Sequence, residues 1–320
     1  MLGKGQPSIV KSGETVNYVI SVANTGDSAL RDTVVICEIA GRIYEVGIIE
    51  YLEPGEEKEL TFTFKIPDDA APGSVIRAEF RIEDPGTPGH GKYVDVTVSI
   101  FADDHIWYIR GYEDNTLRPD NVITRAEVAM VFFRLLKPEL RNITPEVKFI
   151  DVTGDEWYGL AINVLSHYNI LSGYPDGSFR PNQPITRREM AAVVSRFDNL
   201  LNTDDNPFND LDRTDWAYSL ILSATKKGWF AGDGNGRFRP GDNMLRCEFV
   251  TVTNRILNRH ILLEDIPDNV HTFKDFSSRH WAYAEFVESI YTHDYIRKAD
   301  NVNEEWTQMI DDGLQKPYNW

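Results

Sequence analysis

From Thr15 the chain alternates between polar and apolar positions, and Val16, Tyr18, Ile20 and Val22 share one face. That two-residue period predicts a half-buried strand, ended by the turn signal Asn24-Thr25-Gly26-Asp27. The same pattern returns at Val34 and Ile36, across positions 43–49, and at Leu60, Phe62, Phe64 and Ile66. It continues across 75–82 and then at Val94, Val96, Val98 and Ile100, with turns at Pro54-Gly55 and Pro72-Gly73. Six or seven short strands with no helical period predict an all-β immunoglobulin-like sandwich over residues 1–100.

Beyond residue 100 the period lengthens, and the chain begins to repeat itself. Gly111-Tyr112-Glu113-Asp114-Asn115-Thr116-Leu117-Arg118-Pro119 is followed by Ile123-Thr124-Arg125-Ala126-Glu127. The pattern returns as Gly173-Tyr174-Pro175-Asp176-Gly177-Ser178-Phe179-Arg180-Pro181 with Ile185-Thr186-Arg187-Arg188-Glu189. A third copy is Gly232-Asp233-Gly234-Asn235-Gly236-Arg237-Phe238-Arg239-Pro240 with Met244-Leu245-Arg246-Cys247-Glu248. A second element interleaves at constant spacing: Phe149 to Trp157, Phe208 to Trp216 and Phe273 to Trp281. Self-similarity of this kind marks stacked units that cannot bury their apolar faces alone.

Thr124 with Glu127 reads as a capping box that opens a helix. Val128, Val131, Phe132 and Leu135 then recur at helical spacing, as do Met190, Val193 and Val194, and Phe249, Val252 and Ile256. In each copy an arginine sits just inside the helix start, where its charge opposes the macrodipole at a cost of a few tenths of a kcal/mol. A helix N-terminus beside a guanidinium fork suits a carboxylate, which makes Arg125, Arg187 and Arg246 candidate anion receptors. The alternative is that each arginine pairs internally and holds the repeat together. Trp157, Trp216 and Trp281 admit stacking on sugar faces or burial in the core. Gly111, Gly173 and Gly232 admit a close backbone approach to a ligand or a positive φ in a turn.

These motifs resemble the S-layer homology family, whose marks are an Asp-bearing start, a Trp helix, a Gly-Tyr-x-Asp-Gly-Thr-Phe-x-Pro loop and a Thr-Arg-Ala-Glu helix start. The likeness covers roughly residues 101–298. It implies a mainly α, pseudo-threefold assembly of circularly offset repeats, with boundaries at 101–143, 144–205, 206–262 and 263–320. The last Trp helix would pack on the first loop and close a ring. The resemblance further implies non-catalytic anchoring to a bacterial cell wall or S-layer, outside the cell, through an anionic, pyruvylated secondary polysaccharide that the arginines contact. The stretch from Ser12 to Asp27 is similar to stalk-like sandwich repeats of bacterial surface proteins. A sandwich of that kind could bind other surface proteins.

Departures from the pattern bear on the site. The third copy has Asp233 in place of the loop Tyr and Leu245 in place of the capping Thr, which points to Arg246 as the weakest receptor. Where a fourth loop would begin, Ala299-Asp300 replaces Gly-Tyr, so closure is expected there. His105, His167 and His293 occupy matching positions. Spread around a ring they would lie far apart, so structural roles are expected of them. Asp233-Gly234-Asn235-Gly236 lacks the twelfth-position Glu of a calcium loop, and no metal or cofactor is expected.

Charge narrows the partners. With 33 Lys and Arg against 50 Asp and Glu, the formal net charge is -17, which opposes nucleic acid and acidic membranes. No apolar run approaches the roughly 20 residues of a membrane span, and Met1-Leu2-Gly3-Lys4-Gly5 lacks a signal h-region. The two cysteines, Cys37 and Cys247, do not make a disulfide framework. No Ser-His-Asp elbow, phosphate loop or His-Glu metal motif stands out, so no enzyme is expected in these residues. A self-assembling surface module, or the anchor of a longer glycan-active enzyme, remains the alternative. Residues 299–320, with Trp306 and Trp320, carry no assignment.

Overall fold

A computed structural model describes residues 9–83, 92–102, 104–300 and 302–311. Trp320 lies outside them. The chain divides into two compact units, Met1–Ile100 with Phe197–Asn199, and the remainder from Phe101.

The first unit contains β1 (Ile9–Val10), β2 (Thr15–Ala23), β3 (Leu30–Ile39), β4 (Arg42–Leu52), β5 (Glu57–Lys65), β6 (Val75–Glu83) and β7 (Lys92–Val98). One sheet runs β1-β7-β6-β3-β4, and β2 pairs with β5 in a second. Alternation places Val16 and Tyr18 of β2 inward, where they share a core with Phe62, Cys37, Ile39, Phe80, Val96 and Val98. Two sheets each bury one face against this common core, the arrangement that period-2 patterning demands. Tyr18 anchors it, with its ring 5.4 Å from that of Phe80. Burial pushes the Cys37 thiol up to about 12, which leaves it inert at neutral pH.

The second unit holds α1 (Arg125–Leu135), the short α2 (Pro138–Arg141), α3 (Gly159–His167), α4 (Arg187–Val194), α5 (Tyr218–Lys226), α6 (Arg246–Leu257) and α7 (Tyr283–Ile290). It ends in a hairpin of β8 (Thr292–Arg297) and β9 (Glu304–Asp311). Each Arg-led helix packs on the Trp-led helix that follows it: α1 on α3, α4 on α5 and α6 on α7. The apolar stripes read from the sequence are buried, including Val128, Phe132, Met190, Val194, Phe249 and Ile256. Among the described residues no helix is long and apolar enough to cross a membrane.

Backbone hydrogen bonds join the three copies in a circle. Ile123 N–H donates to the Met244 carbonyl (3.0 Å), Met244 N–H to Ile185 (2.8 Å), and Ile185 N–H to Ile123 (3.1 Å). The helix starts repeat the pattern one step outward. Arg125, Arg187 and Arg246 donate their N–H groups to the carbonyls of Gln183, Asp242 and Asn121. These donors are among the four that a helix N-terminus cannot satisfy internally, and the next copy's chain supplies their acceptors.

Candidate functional site

Each loop is held by an aspartate from the Trp-bearing segment beside it. Asp151 accepts from Phe179 N–H and Arg180 N–H, both at 2.7 Å. Asp210 does the same for Phe238 and Arg239. For the first loop the aspartate comes from the far end of the chain, since Asp275 accepts from Leu117 and Arg118, both at 2.8 Å. The clamp steadies a strained turn: Arg118, Arg180 and Arg239 have φ of 52°, 60° and 61°, a left-handed conformation that costs a side-chain-bearing residue roughly 1–2 kcal/mol. Arg180 further lies over the Tyr174 ring at 3.9 Å and pairs with Asp176 at 2.8 Å, and Arg118 does likewise with Tyr112 and Asp114.

The three candidate receptors turn inward. Arg125 Nε donates to the Phe179 carbonyl and Nη2 to that of Ser172, both at 2.8 Å. Arg187 makes the matching bonds to Phe238 and Ala231, and Arg246 to Leu117 and Arg110. All three side chains are buried, and the remaining nitrogen faces a glutamate of the next copy: Glu189, Glu248 and Glu127 respectively. This is the internal-pair arrangement. Backbone donors of each helix start and two nitrogens of each fork are engaged by carbonyls of the neighbouring copy.

The pairs differ in closeness. Arg187 Nη1 meets Glu248 at 3.0 Å and Arg246 Nη1 meets Glu127 at 3.3 Å, whereas Arg125 Nη1 stands 3.8 Å from Glu189. At the loosest of them the Tyr174 hydroxyl donates to Glu189 Oε1 at 2.7 Å. In the third loop Asp233 has replaced that tyrosine, and Arg239 Nη2 donates to Glu248 instead, at 2.9 Å. Desolvation pulls the Arg125 and Arg187 guanidinium groups below their ordinary range. Because each arginine grips the following copy's loop, the Tyr-to-Asp change falls on Arg187 and not on Arg246. Only the missing cap belongs to Arg246: Leu245 offers no acceptor, and Glu248 alone reaches back to its N–H at 3.0 Å. Thr124 and Thr186 complete their capping boxes.

The glycines are required for close approach to protein, not for positive φ. None of Gly111, Gly173 and Gly232 has a left-handed backbone. A Cβ at Gly173 would land 2.5 Å from the Ser178 carbonyl and against the Phe149 ring, and at Gly232 it would lie 2.8 Å from both Phe208 Cε1 and the Arg237 carbonyl. Gly111 meets Phe273 in the same way. The tryptophans take the opposite course: Trp157, Trp216 and Trp281 are 43%, 60% and 64% exposed, each beside the start of its helix. At two junctions the neighbours of these rings are polar. Arg188 pairs at 2.9 Å with Asp215, next to Trp216, while His280, stacked on Trp281, lies 3.4 Å from Asp120.

Two groupings escaped the sequence. The family's Asp-bearing start hinted at the aspartate clamp, but nothing local tied Asp275 to a loop 158 residues away. The histidines also depart from expectation. His105 and His293 stand side by side with ring centroids 5.1 Å apart, while His167 is exposed at the end of α3. The unassigned Trp306 stacks on His293 at 4.0 Å.

Residues 108–129, 148–191 and 207–250 match the S-layer homology domain family. The chain is 32% identical over 221 residues to Cell surface glycoprotein 1 of Acetivibrio thermocellus, covering 65% of this chain and 9% of that protein. It is 31% identical over 225 residues to the Cellulosome-anchoring protein of the same organism, covering 68% of this chain and 49% of that one. The Surface-layer 125 kDa protein of Lysinibacillus sphaericus is 30% identical over 154 residues, 47% of this chain and 13% of that protein. The chain thus spans at most about half of these relatives. A CARDB domain from Pyrococcus furiosus overlays 29% of this chain and 86% of its own, at 25% identity and a TM-score of 0.26.

Proposed function

Because this chain carries S-layer homology domains and resembles cell-surface anchoring proteins, we propose that its helical unit is a pseudo-threefold anchor. It holds the protein to a bacterial cell wall through an acidic, pyruvylated polysaccharide and catalyses nothing itself. Support for the ring comes from the circular hydrogen bonds among Ile123, Ile185 and Met244 and from the Asp275 clamp on the first loop. The observation that carries the binding reading is the exposure of Trp157, Trp216 and Trp281 at matching positions, on copies whose helix-start arginines and apolar stripes are turned inward. An indole that has left the core leaves a flat apolar face with a donor for a sugar ring.

The acidic substituent belongs at the first junction. There the Arg125 outer nitrogen has the loosest carboxylate partner, 3.8 Å away, and a ligand carboxylate would compete with Glu189 for it. Gly173 and Tyr174 form the floor of that junction. Arg187, Arg246, Gly111 and Gly232 build the equivalent floors, more tightly self-neutralised. The β unit would then carry whatever the anchor displays, including other surface proteins.

Cosedimentation with purified sacculi, before and after chemical stripping of the accessory polymer, tests this reading. The chain should pellet only with unstripped sacculi. Trp157→Ala, Trp216→Ala and Trp281→Ala combined should weaken pelleting, each ring contributing about 0.5–1.5 kcal/mol, with the unfolding midpoint unchanged. Pelleting that survives both stripping and the triple change refutes the assignment. A second reading, the anchor of a longer glycan-active enzyme, draws on similarity to the Amylopullulanase of Thermoanaerobacterium thermosulfurigenes, 32% identical over 171 residues but matched over only 9% of its length.

A further inference from the structure

Four buried side chains converge where the helical unit's first and last segments meet. His105 precedes the first loop and bridges His293 of β8, whose N–H donates to the His105 carbonyl at 3.1 Å. Glu288 comes from α7 and Glu304 from β9. All four side chains are no more than 5% exposed. His105 Nδ1 lies 3.2 Å from His293 Nε2, 3.5 Å from Glu288 Oε1 and 3.4 Å from Glu304 Oε2. His293 Nε2 lies 3.1 Å from Glu288 Oε1. We propose that these four atoms are the ligands of a tetrahedral divalent cation, of which zinc fits best, and that the ion fastens the two ends of the helical unit together.

The distances carry the proposal. Nitrogen and carboxylate oxygen bind zinc at about 2.0–2.2 Å, and the edges of a tetrahedron with that radius are about 3.3–3.6 Å. Four of the six edges fall at 3.1–3.5 Å, and all the ligand atoms lie within 4.8 Å of one another. The second atoms of three ligands are tied away from the centre. His293 Nδ1 is 3.2 Å from the Tyr291 carbonyl, Trp306 Nε1–H donates to Glu288 Oε2 at 3.0 Å, and Arg297 Nη1 contacts Glu304 Oε1 at 2.8 Å. Outer partners of this kind fix the tautomer and aim the free lone pair at the ion.

Satisfaction of hydrogen bonds points the same way. Glu288 Oε1 is fully buried and receives no hydrogen bond of acceptable geometry, although two imidazoles stand within 3.5 Å of it. A buried carboxylate oxygen aimed at lone pairs is costly unless a cation sits among them. Arg297 touches Glu304, and the buried Arg259 spends its Nη groups on the carbonyls of Asp104 and Ile106, so neither guanidinium fills the centre. The N2O2 donor set and tetrahedral edges favour zinc over calcium or magnesium.

The full-length chain is first stripped with chelator and then titrated with zinc, with metal content read by mass spectrometry and unfolding by tryptophan fluorescence. One tightly held equivalent is expected, with a rise of several degrees in the unfolding midpoint. Cobalt(II) in its place should give the visible bands of a tetrahedral ion. Glu304→Gln should weaken zinc binding at least tenfold. His280→Ala, which removes the more exposed Asp120, Cys247 and His280 grouping, should change neither quantity. If Glu304→Gln does not fold, the cobalt spectrum of the unaltered chain decides. Absence of bound zinc and of cobalt bands, with no effect of chelator on unfolding, overturns the site and leaves a buried His–Glu hydrogen-bonded cluster. Stoichiometric zinc lost in His280→Ala overturns it in favour of the other grouping.

Discussion

Arg187→Ala tests whether the buried arginines are structural. The substitution removes a guanidinium 5% exposed, with one nitrogen 3.0 Å from Glu248 and two others on the carbonyls of Phe238 and Ala231. Each charge-assisted hydrogen bond is worth about 1.5–3 kcal/mol, and breaking a buried ion pair costs about 3–5 kcal/mol in all. Glu248 keeps Arg239 at 2.9 Å, which places the expected loss at the lower end, about 3–4 kcal/mol. For a unit of roughly 200 residues that corresponds to a fall of about 6–16 °C in midpoint. All seven tryptophans stand at or beyond position 107, so their fluorescence follows the helical unit without contribution from the β unit. Arg125→Ala breaks the same two carbonyl bonds but no close carboxylate contact, and should cost less. An Arg187→Ala midpoint within about 1 °C of the parent would show that the inward geometry carries no stability and that the reasoning fails.

Three further outcomes follow from single contacts. Gly173→Ala places a methyl group 2.5 Å from the Ser178 carbonyl and should destabilise by about 1–3 kcal/mol in chemical denaturation, whereas alanine at exposed Gly26, 3.4 Å from its nearest atom, should be far milder. Leu245→Thr restores the acceptor missing at the start of α6 and should raise the unfolding free energy by about 1 kcal/mol. The Asp176 carboxylate is held well below its ordinary value by bonds from Ser178 and then Arg180. A lowered folded value stabilises the fold above the unfolded carboxylate range and is lost as pH falls through the folded one. Acid denaturation curves should therefore be flatter below about pH 4 in Asp176→Asn than in the parent.

Much of the architecture was legible because it is locally encoded. Alternation in the first hundred residues set which faces of β2 and β5 turn inward, and helical spacing of Val128, Phe132, Met190, Val194 and Phe249 set the buried stripes of α1, α4 and α6. The capping boxes at Thr124 and Thr186 gave the helix starts to the residue. The fate of the guanidinium groups was not legible. A locally unfavourable arginine at a helix start invites an anion, and the sequence does not reveal that Phe179, Phe238 and Leu117 bring their carbonyls to it from another copy. Nor could spacing bring Glu304 to His105 across 198 intervening positions, since that meeting depends on how the chain's last hairpin returns.

The direction of each grip explains why the copies can diverge without the assembly losing its closure. Every junction is made by two copies, one giving the arginine and the other the loop, the aspartate clamp and the glutamate. A change in one copy is therefore shared between two junctions. Asp233 removes a tyrosine where Arg187 docks, and Arg239 answers by turning onto Glu248. Leu245 removes a cap at the neighbouring junction, where Tyr112 still lies 5.0 Å from Arg246. No junction suffers both losses. The first retains tyrosine, capping threonine and the loosest internal ion pair together, a combination that keeps its geometry intact while its arginine has the most distant carboxylate partner of the three.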